Sequence, residues 1–173
     1  GAMLASAVRL SRALRRAHPC QDAGVLRIAH AAAAELGFRR KIRLVTTRLV
    51  GSPAVIGIFR PALLLPEGLT ATLSTDELRL VFLHEFAHLR RGDLLLHLIT
   101  VALQILHWFN PVLWIAFSRL RHDRELAADA LVLSGPRTPL KTLYGHTLLK
   151  LIEGSGPGLP SPRLVGIMEN AKE

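Results

Sequence analysis

The chain has 173 residues, 50% of them hydrophobic, and a net charge of +9 from 22 basic and 13 acidic residues. That length suits one domain with room for a core, and Cys20, the single cysteine, excludes an intramolecular disulfide framework and a multi-cysteine zinc site. The basic balance fits an anionic membrane surface, nucleic acid or a plain solvated face, and the 5% aromatic content, with no aromatic interleaved in the basic N-terminal run, argues against nucleic acid.

Gly1-Ala2-Met3 reads as an expression remnant, so the natural chain is expected to extend upstream, and no signal peptide is visible. Residues 1–21 are expected to form a basic juxtamembrane helix, with Arg9, Arg12, Arg15 and Arg16 beside Leu4, Val8, Leu10 and Leu14. An aspartate cap, an alanine-rich middle and a closing glycine predict a helix over 22–37. Short β-branched or apolar runs bounded by proline and glycine predict strands over 42–47, 54–59 and 62–65, a small sheet with an exposed edge. From Ser74 on the pattern is helical, over 75–91, 93–108, 111–134 and 140–153. The folded domain is therefore expected over 22–153, and the Gly/Pro/Ser-rich stretch within 154–173 reads as a flexible linker toward a membrane segment outside this piece.

His84-Glu85-Phe86-Ala87-His88 carries the chemistry. Residues four apart share a helix face, so both imidazoles can reach one metal ion, and Glu85 stands where a carboxylate can take a proton from water. Ser74 and Glu77 form a capping box signature, Leu78, Val81, Phe82, Phe86 and Leu89 an apolar stripe, and Gly92 a left-handed stop. A catalytic zinc takes three protein ligands and keeps a fourth position open. A third histidine six residues after the second is excluded, because Leu94 stands there. A glutamate on a later helix is the other solution, and Glu125 with Asp129 supplies it. Four apart on one face, the first can bind metal while the second accepts a hydrogen bond from a ligand imidazole. The bland alternative is a solvated helix laced by Arg121, Asp123 and Arg124.

Residues 94–117 hold no charge if His97 and His107 are neutral, and are long enough to span a bilayer. Asn110-Pro111 interrupts them, however. A single span would also put Glu125 on the other side of a hydrocarbon core about 30 Å thick from His84 and His88. Shared coordination therefore requires a helical hairpin, either buried in the domain or dipping into the membrane interface.

These stretches resemble the BlaR/MecR family of membrane-associated gluzincin metallopeptidases. The resemblance covers His84 through Asp93 with its Arg-Arg-Gly-Asp exit, His107-Trp108-Phe109-Asn110-Pro111, Asp123 through Asp129, and upstream Gly57-Ile58-Phe59-Arg60-Pro61 with Leu64 through Leu69. It runs over about 23–133. It implies one Zn2+ held by His84, His88 and Glu125, with Glu85 as general base and Asp129 behind a ligand histidine, His84. It further implies a domain on the cytoplasmic side of the bacterial inner membrane, tethered between membrane helices, that acts on a regulator such as a transcriptional repressor. The chain departs from the best-known members in having no Ser-x-x-Lys motif, so antibiotic sensing does not carry over.

The expected fold is thus α+β, a mainly helical zincin-like metallopeptidase domain with a small three-stranded sheet. An extended substrate peptide is expected to add to the edge strand at Val55, Ile56, Gly57 and Ile58. Tyr144, His146, His122 and His107 are candidates for stabilising an oxyanion, with nothing in the sequence to choose among them. The competing readings are a quality-control peptidase of the HtpX type, which lacks the Arg-Arg-Gly-Asp and His-Trp-Phe-Asn-Pro stretches, and a non-catalytic basic scaffold.

Overall fold

The structure, a computed structural model, describes residues 19–134 and 140–154. The basic N-terminal helix and the C-terminal linker expected from the sequence lie outside the described residues. Elements follow in the order α1 (Ala23–Glu35), β1 (Arg43–Thr47), β2 (Ala54–Ile56), β3 (Ala62–Pro66), α2 (Leu69–Thr72), α3 (Thr75–Arg91), α4 (Asp93–Leu106), α5 (Pro111–Leu133) and α6 (Leu140–Gly154). This is the mainly helical α+β arrangement that the sequence predicts. Only α2 was not anticipated, since a single turn is too short to show a helical period.

Helix α3 is the axis of the domain. Ser74 Oγ accepts from the Glu77 amide while the Glu77 carboxylate accepts from the Ser74 amide, and Gly92 closes the other end at φ 72°. Between these caps Leu78, Leu80, Val81, Phe82, Leu83, Phe86 and Ala87 are all buried. Helix α1, capped by Asp22, lies against α3 through Ala29, Ala32 and Ala33, whose small side chains allow close approach. Phe86 stacks between Phe82 and Phe38, with ring centroids 6.0 and 6.4 Å away.

The sheet has the order β1-β3-β2, with β1 parallel and β2 antiparallel to β3. Strand β3 is central. Its Leu63 and Leu65 join the main core beside Leu44, whereas Leu64 points to the opposite face with Val45. Strand β2 is an edge that touches α3, as expected. It stops at Ile56, however, rather than running to Phe59. Gly57 turns the chain at φ 81°, and a Cβ there would stand 2.7 Å from the Arg60 carbonyl oxygen. The Arg40 guanidinium donates to the carbonyls of Ile58 and Phe59 and holds that turn. Gly57 and Ile58 therefore belong to the β2–β3 turn, and Gly57 serves the chain's own close approach.

Helices α4 and α5 form the expected hairpin, with Asn110 capping α5 through the Val112 amide. No described helix is long and apolar enough to cross a membrane. Helix α6 packs on α3, where Lys150 Nζ donates to Glu77 at 2.6 Å.

Phe82 is fully buried, so Phe82→Ala should lower the unfolding free energy by about 3–5 kcal/mol, measurable by denaturant titration. The Glu77 carboxyl sits below its ordinary pKa, chiefly through the Lys150 hydrogen bond and then the Ser74 amide. A depressed folded-state value stabilises above the unfolded pKa, about 4.3, and the contribution fades as pH falls through the folded value. The stability gap between the parent and Glu77→Gln should therefore be full at neutral pH and close on acidification below about pH 4.

Candidate metal centre

Two helices place the side chains of the candidate centre. His84 and His88 lie one turn apart on α3, with their Nε2 atoms 3.1 Å from each other. Glu125 enters from α5, its Oε2 3.6 Å from His84 Nε2 and 3.7 Å from His88 Nε2. Glu85, also on α3, is buried at 7% exposure. His84 is 2% exposed, and Glu125 is half-buried.

The other ring nitrogens are held from behind. His84 Nδ1 is 2.9 Å from Asp129 Oδ1 and 2.7 Å from the Tyr144 hydroxyl, which itself donates to Asp129 Oδ1 at 2.6 Å. His88 Nδ1 is 2.8 Å from Asp93 Oδ2. A carboxylate can only accept, so each Nδ1 carries a proton and each Nε2 faces forward. With both rings neutral, two Nε2 lone pairs 3.1 Å apart would repel unless something positive lay between them. Burial alone would lower the His88 pKa, yet the Glu125 carboxylate, the charge of Glu85 and the Asp93 carboxylate hold it up at about 9. Burial would raise Glu125, but the hydrogen bonds and charges of His84 and His88 keep its carboxyl well below the usual range. The pocket is tuned for positive charge.

Donor chemistry and spacing both fit zinc. Tetrahedral nitrogen and oxygen ligands about 2.0–2.1 Å from one ion stand roughly 3.3 Å from one another. The separations of 3.1, 3.6 and 3.7 Å lie on either side of that figure. His84, His88 and Glu125 form the group of possible ligands among the described residues.

A brace behind the site ties the α3–α4 junction to α5. Arg124 Nη1 donates to the Asp93 carbonyl at 3.2 Å, Arg91 Nη1 donates to the Arg124 carbonyl at 3.4 Å, and Arg91 Nε lies 3.6 Å from Asp93 Oδ1. Arg124 is buried, with its Nε unpartnered among the described residues. These contacts set the register of α5 one residue before Glu125.

The structure brings together His84, Glu85, His88, Glu125 and Asp129, with Asp129 behind His84. Sequence reasoning overlooked Asp93 as the partner of His88, although an acid at the first position after the Gly92 stop was the available signal. It also overlooked the place of Tyr144. That hydroxyl lies on the Nδ1 side of His84 and is committed to Asp129, so it does not face the Nε2 cluster. His107 sits at the hairpin turn, roughly 20 Å along α5 from Glu125.

Fold and site define a mainly helical α+β domain in which two histidines of α3 and Glu125 of α5 could hold one metal ion. The family described as BlaR1 peptidase M56 matches residues 1–173, and the chain belongs to that family. Regulatory protein BlaR1 of Bacillus licheniformis is 30% identical over 149 residues, 86% of this chain and 25% of the relative. The methicillin resistance mecR1 protein of Staphylococcus aureus is 26% identical over 113 residues, 65% of this chain and 19% of the relative. The chain thus spans about a quarter or less of the curated relatives it matches.

Because Asp93 stands behind His88, Asp93→Asn should weaken any binding of a divalent metal at this centre about 10–100-fold, read by competition with a chromogenic chelator.

Proposed function

We propose that this domain is a zinc-dependent endopeptidase of gluzincin type, with one Zn2+ held by His84, His88 and Glu125. The observation that carries the reading is the pair of forward-facing Nε2 atoms 3.1 Å apart, flanked by the Glu125 carboxylate. Bound zinc supplies Lewis acidity, lowering the pKa of water toward about 7 and polarising a carbonyl oxygen. Glu85 takes the proton of the attacking water and delivers it to the leaving amine. Its burial strengthens that role, since little bulk water competes for the carboxylate. Asp129, Tyr144 and Asp93 hold the imidazoles in one tautomer and one orientation, so neither ring must reorganise.

The substrate is a protein segment in extended form. It adds to the free edge of β2 at Val55 and Ile56 by backbone hydrogen bonds. A peptide reaching further passes Gly57 and Ile58, which lie in the following turn. Contact between β2 and α3 supports this dock, because it sets the edge beside the histidine helix. By the family relationship, the activity belongs to a longer regulatory protein that is anchored in the bacterial inner membrane, with this domain on the cytoplasmic side. It cleaves a cytoplasmic regulator there, such as a transcriptional repressor.

Elemental analysis should find one zinc per chain in the parent protein and in Glu85→Gln, and strongly reduced zinc in Glu125→Ala. Glu85→Gln should slow peptide-bond cleavage by about 10²–10⁴-fold. Cleavage at the parent rate by the metal-loaded Glu85→Gln protein would remove the general-base assignment, and a parent chain that takes up no zinc would end the proposal.

A further inference from the structure

The α4–α5 hairpin presents an apolar surface that neither the core nor the metal centre uses. Leu95, Leu98, Ile99, Ile105 and Leu106 on α4 are each about half exposed or more, and Val112 and Ile115 on α5 are 69% and 61% exposed. At the turn Trp108 and Phe109 are 71% and 67% exposed, and Trp114 is 51% exposed. Trp108 and Trp114 are the chain's two tryptophans, and both stand in this one hairpin. No Lys, Arg, Asp or Glu occurs between Asp93 and Arg119.

We propose that this hairpin tip inserts into the interface of an anionic phospholipid membrane and docks the domain there. Three observations select lipid over another occupant. First, exposed tryptophans at the end of an apolar hairpin have the composition of an interfacial anchor, apolar in body with one polar edge.

Second, several polar groups at the tip are paired internally, which lowers the cost of immersion. Trp114 Nε1 donates to the Trp108 carbonyl at 3.0 Å, and the Asn110 amide donates to the His107 carbonyl at 3.0 Å. His107 Nδ1 pairs with the Leu103 carbonyl at 3.1 Å, and Asn110 Oδ1 accepts from the Val112 amide at 3.0 Å.

Third, charge returns where headgroups would lie. Arg119 stands one turn beyond Ile115 on the same face of α5, with Arg121 following. The charge-free start of α5 up to Ser118 spans about 12 Å of helix axis. That matches an interfacial depth and falls well short of a hydrocarbon core about 30 Å thick. Along α5, Glu125 follows Arg119 by roughly 9 Å. The metal centre is then held just outside the headgroup layer, where membrane-proximal segments of other proteins are within reach. The docking inference does not depend on the peptidase reading.

The two tryptophans make the test direct. The purified chain is mixed with phosphatidylcholine vesicles, with and without phosphatidylglycerol, some carrying brominated acyl chains. Intrinsic fluorescence should shift to the blue, and brominated chains should quench it. Trp108→Ser combined with Phe109→Ser should weaken vesicle partitioning roughly tenfold or more. Arg119→Glu should cut the preference for phosphatidylglycerol by about fivefold or more. Circular dichroism and thermal unfolding of each variant, compared with the parent, establish that it is folded. Vesicle binding without quenching would mean that another segment does the docking, and would overturn the proposal. Absence of binding would overturn it too. So would a dimer that the double serine variant converts to monomer while the parent ignores vesicles, which would make the hairpin a contact between copies.

Discussion

Two imidazole Nε2 atoms brought within 3.1 Å of each other are the constraint from which the rest of the domain follows. Such a pair is unfavourable in a buried place unless a cation or a shared proton separates the nitrogens, because desolvation removes the screening that water would supply. The fold accepts that arrangement and reinforces it from behind. Asp129 and Tyr144 fix one ring, Asp93 fixes the other, and Glu125 closes the front with a compensating negative charge. Without a metal the pocket is not neutral, since the same carboxylates hold the His88 pKa up at about 9.

The architecture is organised to keep those groups in register. Helix α3 carries His84, Glu85 and His88, and is pinned at its start by the capping box and the Lys150 contact and at its end by Gly92. Immediately past that stop, Asp93 turns back to His88 and its carbonyl receives Arg124. The short link between α3 and α4 thus does two jobs. It orients a ligand from behind, and it locks the helix that brings Glu125. The α4–α5 hairpin is what allows a chain so apolar over 94–117 to return to the same site, and its outer surface is left free for another role.

Much of this was legible in the chain before folding was considered. The His-Glu-x-x-His run, the capping box, Gly92, the proline break before α5 and the Glu125–Asp129 spacing are all local patterns. Each follows from the helical repeat or from backbone sterics within a few residues. The β2 edge was legible as well, but its end was not. Gly57 reads equally as a strand residue that admits a ligand and as a turn residue, and only its left-handed φ and the nearby Arg60 carbonyl separate the two.

What the sequence by itself determined was the set of chemical groups, the helices that bear them and the need for a hairpin between them. Helical periodicity is a local property that survives without knowledge of neighbours. The tertiary structure alone decided that Tyr144, sixty residues from His84, closes the triangle with Asp129, and that Asp93 rather than a distant acid stands behind His88. It also decided that the hairpin's apolar face stays outside the core. The Tyr144 contact and the exposed hairpin face are outcomes of how helices pack across long sequence separations, and the Asp93 contact depends on how the chain turns at Gly92, where side-chain reach, burial and charge compensation act together.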